Sequence, residues 1–245
     1  MNYETHRWRS DRLGQDMELR FYGHAGKPVV VFPSAAGTFY QYQDFGMVEA
    51  VSPFVDSGAI SLVTVDSVDA QSWLNQSAHP AERARRHQDY DGYIVQEVVP
   101  FIRRRLPRSH GLLATGCSMG AYHSANFFFR HPDVFDAVIA LSGVYQLGQF
   151  LGGYMDDNVY FNTPLAYLPN LTDPWYLDRY RQSQIVFCVG QGAWEEPMVA
   201  DTRAMEAVLR SKSITAWVDF WGHDVNHDWP WWRVMMPYFL SKLSL

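Results

Sequence analysis

The stretch Gly116-Cys117-Ser118-Met119-Gly120 sets a serine between glycines two positions away on either side. It follows a short apolar run, Leu112 to Thr115, and precedes a stretch with helical spacing, Met119 to Arg130. A serine at a sharp strand-to-helix turn is lifted clear of the sheet edge, and such a turn admits only small residues at those two flanking positions. The following helix would aim the positive end of its dipole at negative charge developing there. Ser118 is therefore the candidate nucleophile. The plain alternative is a Gly-rich turn whose serine caps the helix. Cys117 beside it reads as a small buried apolar residue at a strand end.

A serine hydroxyl becomes a useful nucleophile when a neighbouring imidazole can take its proton. Late in the chain stands Phe220-Trp221-Gly222-His223-Asp224-Val225-Asn226-His227-Asp228-Trp229, between a candidate strand and the closing helix. His227 adjoins the helix start and is the expected base; His223 is the second candidate, suited to supporting the loop or lining a pocket. The same His-Asp-x-x-His-Asp spacing could supply metal ligands, but Gly222 and Asn226 mark a loop, and the sequence has no second Cys/His cluster to complete coordination. No metal is expected. The other histidines, His6, His24, His79, His87, His110, His123 and His131, show no pairing in the sequence and read as surface or satisfied structural residues.

The third member of such a set is a carboxylate that fixes the imidazole tautomer and stabilises the imidazolium. After the run Ile185 to Val189 the chain reads Gly190-Gln191-Gly192-Ala193-Trp194-Glu195-Glu196-Pro197. Glu195 and Glu196 are both placed to serve, with Asp201 further off. Pro197 suits a first helical position, which would make Glu196 the cap and leave Glu195 as the preferred acid. A tetrahedral intermediate also needs two N–H donors. The amide of Met119 is one; the other is expected from Pro33-Ser34-Ala35-Ala36-Gly37, with Ala35 preferred and Ser34 second. Tyr40 and Trp73 are the candidate substrate-binding aromatics.

These residues need a scaffold that places loops at one end of a sheet. Short apolar runs at Val29–Phe32, Ile60–Val65, Leu112–Thr115, Ala137–Leu141 and Ile185–Val189 suit strands covered on both faces. Glu18–Tyr22 alternates and suits an antiparallel edge; Thr215–Phe220 is a mixed candidate. Helical spacing marks Ala81–Leu106, where Pro100 should kink or end the helix, and also Met119–Arg130, Pro197–Arg210 and Trp229–Leu243. Alternation of strands and helices implies an α/β fold with a mostly parallel, twisted sheet and helices on both faces. The aromatic, Gly/Asn/Asp/Pro-rich stretch from about 144 to 181 reads as an insertion or cap within a single domain spanning 1–245.

Composition sets the outer bounds. The 245 residues are 47% hydrophobic and 16% aromatic, ample for a buried core. With 20 Lys+Arg against 26 Asp+Glu, a net charge of −6 argues against nucleic-acid and anionic-membrane partners. The N-terminal residues carry no apolar signal region and no run approaches a bilayer span, so a cytoplasmic protein is expected. Two cysteines, Cys117 and Cys188, make no disulfide framework.

The serine elbow at Ser118, the closing His227-Asp228-Trp229, and a long helix with Tyr90, Glu97 and Pro100-Phe101-Ile102 together resemble the α/β-hydrolase superfamily, within it the esterases of the esterase D and mycolyltransferase type. The likeness runs from about residue 17 onward. It departs at the acid, where a usual Gly-x-x-Asp is replaced by Gly190 to Glu196, and at the oxyanion loop, where a usual His-Gly is Pro33-Ser34. The resemblance implies a cofactor-free Ser-His-acid hydrolase acting on a small-molecule acyl ester, in a chain that could form homo-oligomers. An acyltransferase or an S-formylglutathione-type thioesterase would use the same residues. A binding protein that keeps the fold without catalysis is the alternative of another class.

Overall fold

The structure, a computed structural model, describes residues 2–244. Among them eight strands form one sheet: β1 Tyr3–Arg9, β2 Asp16–Tyr22, β3 Lys27–Phe32, β4 Ile60–Val65, β5 Leu112–Cys117, β6 Phe135–Leu141, β7 Gln184–Val189 and β8 Trp217–Phe220. Their spatial order is β1-β2-β4-β3-β5-β6-β7-β8. β1 and β2 pair antiparallel, β2 pairs antiparallel with β4, and from β4 to β8 every pairing is parallel.

The helices are α1 Gln41–Asp44, α2 Met47–Ala50, α3 Ser52–Asp56, α4 Pro80–Tyr93, α5 Val99–Arg105, α6 Met119–Arg130, α7 Gly148–Leu151, α8 Asp157–Tyr160, α9 Pro164–Tyr167, α10 Pro174–Gln182, α11 Glu196–Ser211 and α12 Trp229–Leu240. The apolar strands need cover on both sides because successive residues alternate faces. Val30, Phe32, Ile185 and Phe187 join the core under α4, α5, α6, α10 and α11. Val29, Val31, Val186 and Cys188 join the opposite core, under α1, α2, α3 and α12. Phe127, Phe128 and Phe129 of α6 are all fully buried. At roughly 1.5–3 kcal/mol per buried side chain of this size, they hold firmly the helix whose N-terminus carries Ser118.

Two sequence expectations change here. The alternating strand at Glu18–Tyr22 exists as β2, but the edge is β1, which has no apolar run to announce it. Its side chains are mostly exposed, with Arg7 paired to Asp16 and Trp8 donating to Glu97. Charge along an edge strand deters pairing with other chains. Pro100 does not end its helix either. A π-helical turn, Ile94–Val98, joins α4 to α5, and the chain stays helical to Arg105. A proline ring crowds the carbonyl four residues back, and the wider π turn takes up that conflict.

The stretch from 144 to 181 folds as α7 to α10 and the short 3-10 turn Leu168–Asn170. Its later part packs into the main core through Tyr167, Leu168, Leu177 and Tyr180. Its earlier part, with Val144, Leu147, Leu151 and Val159, forms a separate small cluster around Trp73, Met119 and Tyr122. No helix among the described residues is long and apolar enough to cross a membrane.

Candidate active site

Ser118 sits where β5 ends and α6 begins, with φ 58° and ψ −120°. Such a left-handed conformation costs a non-glycine residue on the order of 1–3 kcal/mol and persists only where the surroundings impose it. The Ser118 amide donates to the Leu141 carbonyl of the neighbouring strand, and its carbonyl accepts from Ala121 and Tyr122 of the helix. A Cβ at Gly116 would lie 2.6 Å from the Phe32 carbonyl oxygen, and one at Gly120 only 2.3 Å from it. These distances explain the glycines on both sides of the serine. Gly120→Ala should therefore cost about 3 kcal/mol, by prising α6 from the end of β3. Urea midpoints check this against Gly148→Ala, where an added Cβ meets nothing within 4 Å; equal midpoints for the two variants would contradict it.

The hydroxyl of Ser118 lies 2.9 Å from Nε2 of His227. Nδ1 of His227 lies 3.2 Å from Oε2 of Glu195, a residue with no exposed surface. The other carboxylate oxygen of Glu195 accepts from the Ser142 hydroxyl at 2.6 Å, and that hydroxyl in turn accepts from the Trp232 indole N–H at 3.0 Å. The Trp232 ring stands edge-on to His227, 4.9 Å between centroids. Glu195 is thus buried with both oxygens engaged, as a buried carboxylate requires.

Two loops deliver this pair, and they are bound to each other. The Gly192 amide donates to the Val225 carbonyl, the Ala193 amide to the Asn226 side chain, and the His227 amide back to the Ala193 carbonyl. A Cβ on Gly192 would come 2.3 Å from the Asn226 side chain, so the close approach needs glycine there. Trp194 takes φ 70° and is 79% exposed, so the chain reverses at this tryptophan and Glu195 turns inward.

The loop after β3 is held from two sides. Gln41 Oε1 accepts from both the Ser34 amide and the Ser34 hydroxyl, and the Gly37 amide closes a turn onto the Ser34 carbonyl. Ser67 donates to the Gly37 carbonyl, and Asp66 accepts from the Phe39 amide. A cavity of about 260 Å³ opens beside Ser118, lined by Ala35, Ser118 and Met119 together with Val144, Phe150 and Met198.

The model of the Esterase family matches residues 10–243. The chain belongs to the Esterase family. Among solved structures, a ferulic acid esterase superposes with a TM-score of 0.75 at 16% identity, covering 97% of this chain and 95% of the other. An S-formylglutathione hydrolase from Agrobacterium tumefaciens gives 0.73 at 13% identity, with 98% and 93% covered. MPT51 (FbpC1) of Mycobacterium tuberculosis gives 0.71 at 18% identity, with 99% and 97% covered. No curated protein matches the chain. At these identities the likeness concerns the fold, which is that of the α/β hydrolases.

Of the candidates read from the sequence of this Esterase-family chain, Ser118, His227 and Glu195 meet, and Ala35 and Met119 border the same cavity. Glu196 does not join them: it is exposed, as the first residue of α11, while Glu195 holds the cap position without capping. Its side chain turns to His227 instead. The Ser34 amide is taken by Gln41 and is not free for a ligand. His223 lies in the exposed part of its loop, against the Gln191 carbonyl. Asp201 is occupied by the amides of Tyr145 and Gln146.

Trp73 does not line the cavity. It is fully buried, its ring 4.7 Å from His87 and its carbonyl accepting from Arg83. Tyr40 is 40% exposed and sits against Phe39, outside the cavity lining. The histidines outside the site loop include structural ones whose partners the sequence does not name: His123 is buried against Asp69, His131 meets Asp91, and His6 meets Glu4.

Ser142, Trp232, Gln41 and Asp66 support the site without having been read from the sequence. A Ser-Gly after a strand looks like any turn, and a tryptophan in an apolar helix looks like core. Burial leaves the thiol of Cys117 well above its ordinary pKa, raised further by the nearby Glu195, so it stays an unreactive neighbour of the serine.

Asp66 has a measurable consequence. Burial raises its pKa to about 6, and the Phe39 hydrogen bond opposes that only in part. The native protein therefore holds this proton where the unfolded chain has released it. Its contribution is most favourable below about pH 4, declines as pH rises from about 4 to 6, and remains a fixed penalty above that. Asp66→Asn keeps an acceptor for Phe39 and removes the charge. It should stabilise the protein by about 1–2 kcal/mol at pH 7.5, partial solvent contact reducing the full linkage value, and by much less at pH 4. Thermal midpoints at the two pH values check this; a loss of equal size at both contradicts it.

Proposed function

We propose that this chain is a carboxylic-ester hydrolase that works through an acyl-enzyme on Ser118. The observation that carries the reading is the continuous hydrogen-bonded series from Ser118 through His227 to the buried Glu195. His227 Nε2 takes the hydroxyl proton as Oγ attacks the ester carbonyl carbon. The amides of Met119 and Ala35 hold the oxyanion; that of Met119, first in its helix, has no intrahelical acceptor. As the carbon–oxygen bond to the alcohol breaks, His227 returns the proton to the departing oxygen. Water then repeats the sequence, releasing the carboxylic acid and restoring Ser118. Glu195 fixes the proton on Nδ1 and stabilises the imidazolium. The segment from 144 to 181 serves as a cap, because it supplies Val144, Gln149 and Phe150 to the cavity wall.

The test is pre-steady-state hydrolysis of p-nitrophenyl butyrate. The reading expects a burst of p-nitrophenol close to one equivalent per enzyme, followed by slower turnover to butyrate. No release above the uncatalysed rate would overturn it. Delivery of butyrate to an added alcohol or thiol in preference to water would make the protein a transferase.

A further inference from the structure

The cavity beside Ser118 is one-sided. Ala35 and Met119 border it together with the serine, while His227 does not contribute to its lining. The imidazole must reach the departing oxygen to return its proton, so the alcohol portion of an ester has to leave on the His227 side. With the carbonyl oxygen turned to the Ala35 and Met119 amides, the remaining substituent of the carbonyl carbon, the acyl chain, points into the cavity. The rest of its lining is Val144, Phe150, Pro197 and Met198, with the amide of Gln149 as the polar side chain among them. A charged acyl group would find no opposite charge in that lining to offset the hydration it gives up on entering.

Size follows from volume. An apolar cavity of about 150 Å³ accepts a benzene ring, or roughly 25 Å³ per carbon. By that ratio about 260 Å³ holds up to roughly ten carbons, some of the space going to the reacting carbonyl. We propose that this cavity is an acyl pocket for uncharged, apolar acyl groups of about six to eight carbons, straight or ring-bearing, with Phe150 and Met198 setting the length. The proposal rests on Ser118 being the nucleophile.

The wall that carries Phe150 is suited to testing. It is the one-turn helix α7, followed by Gly152 and Gly153 in left-handed conformations (φ 59° and 82°). It packs on the small cluster around Trp73 and Tyr122 rather than on either sheet-face core. Substitution at Phe150 therefore leaves the main cores untouched, and Met198 packs on the same small cluster from the first turns of α11.

The experiment measures kcat/KM for p-nitrophenyl esters from acetate to laurate, and for S-formylglutathione, in wild type, Phe150→Ala, Met198→Trp and Ser118→Ala. Each methylene that enters an apolar wall should raise kcat/KM about fourfold, so wild type climbs from acetate to a maximum at hexanoate or octanoate and falls beyond it. Phe150→Ala moves the maximum to longer chains and Met198→Trp moves it to shorter ones. A wild-type maximum at acetate or at S-formylglutathione overturns the proposal. So does an unmoved maximum in both variants. Inactivity of wild type toward every ester, or full activity of Ser118→Ala, defeats instead the assignment of the nucleophile on which the proposal rests.

Discussion

Ser118→Ala should lower kcat on p-nitrophenyl butyrate by about 10⁴-fold or more, with KM changed little. The alanine keeps the elbow, whose left-handed conformation is imposed by the Phe32 carbonyl and by bonds to Leu141, Ala121 and Tyr122 rather than by the hydroxyl. What disappears is the atom 2.9 Å from His227. Residual rate would come from the oxyanion amides and binding alone. Because Cys117 is buried, points into the core shared with Leu141 and Cys188, and has its thiol pKa raised, it cannot replace the serine. Unchanged near-ultraviolet circular dichroism and an unchanged urea midpoint would separate lost chemistry from lost structure. Activity within tenfold of wild type would contradict the assignment.

Glu195→Gln should be the second largest effect, about 10³- to 10⁴-fold in kcat. The substitution is nearly isosteric, but an amide can present its NH₂ group to His227 Nδ1 and so favour the tautomer that leaves Nε2 protonated. A protonated Nε2 cannot accept the serine proton. Ser142 pulls in the same direction: its hydroxyl donates to Oε1 of Glu195, and it satisfies the Trp232 indole N–H as well. The amide oxygen would keep the Ser142 bond and leave the NH₂ facing the imidazole. Loss of the carboxylate also removes the charge that stabilises the imidazolium in the transition state. Glu196→Gln, at the exposed start of α11, should stay within twofold of wild type. If the two variants exchanged these outcomes, Glu196 would be the acid.

The difference between those adjacent glutamates shows what the sequence could and could not convey. The chain order of serine, carboxylate and histidine was legible because the first two stand after apolar strand runs and the third between a mixed strand candidate and the closing helix, and the glycines flanking Ser118 announce the turn. Glu195 and Glu196 could not be separated by pattern, since the choice depends on Trp194 adopting a left-handed backbone and turning its successor inward. The parallel strands were legible from uninterrupted apolar runs, whereas β1 was not, because it is an edge strand with mostly exposed side chains, paired to β2 on one side and set on the core chiefly through Trp8. The place of Trp73 is hidden for a related reason. A tryptophan near small polar residues resembles a pocket wall, and only the packing of α4 and α6 around it shows that it lies beneath the site. Ser142 and Trp232 carry no local signal at all, since their role exists only once β6, α11 and α12 are brought together.

The most direct measurement is stoichiometric labelling with a fluorophosphonate, followed by peptide mass spectrometry. The probe phosphonylates a serine that an imidazole has activated, with loss of fluoride. One equivalent should attach to the peptide containing Gly116 to Gly120, at Ser118, and His227→Ala should slow that labelling by several orders of magnitude. Ester turnover in a protein whose label lands on another residue, or that takes no label while remaining active, would contradict the assignment of Ser118 as the nucleophile.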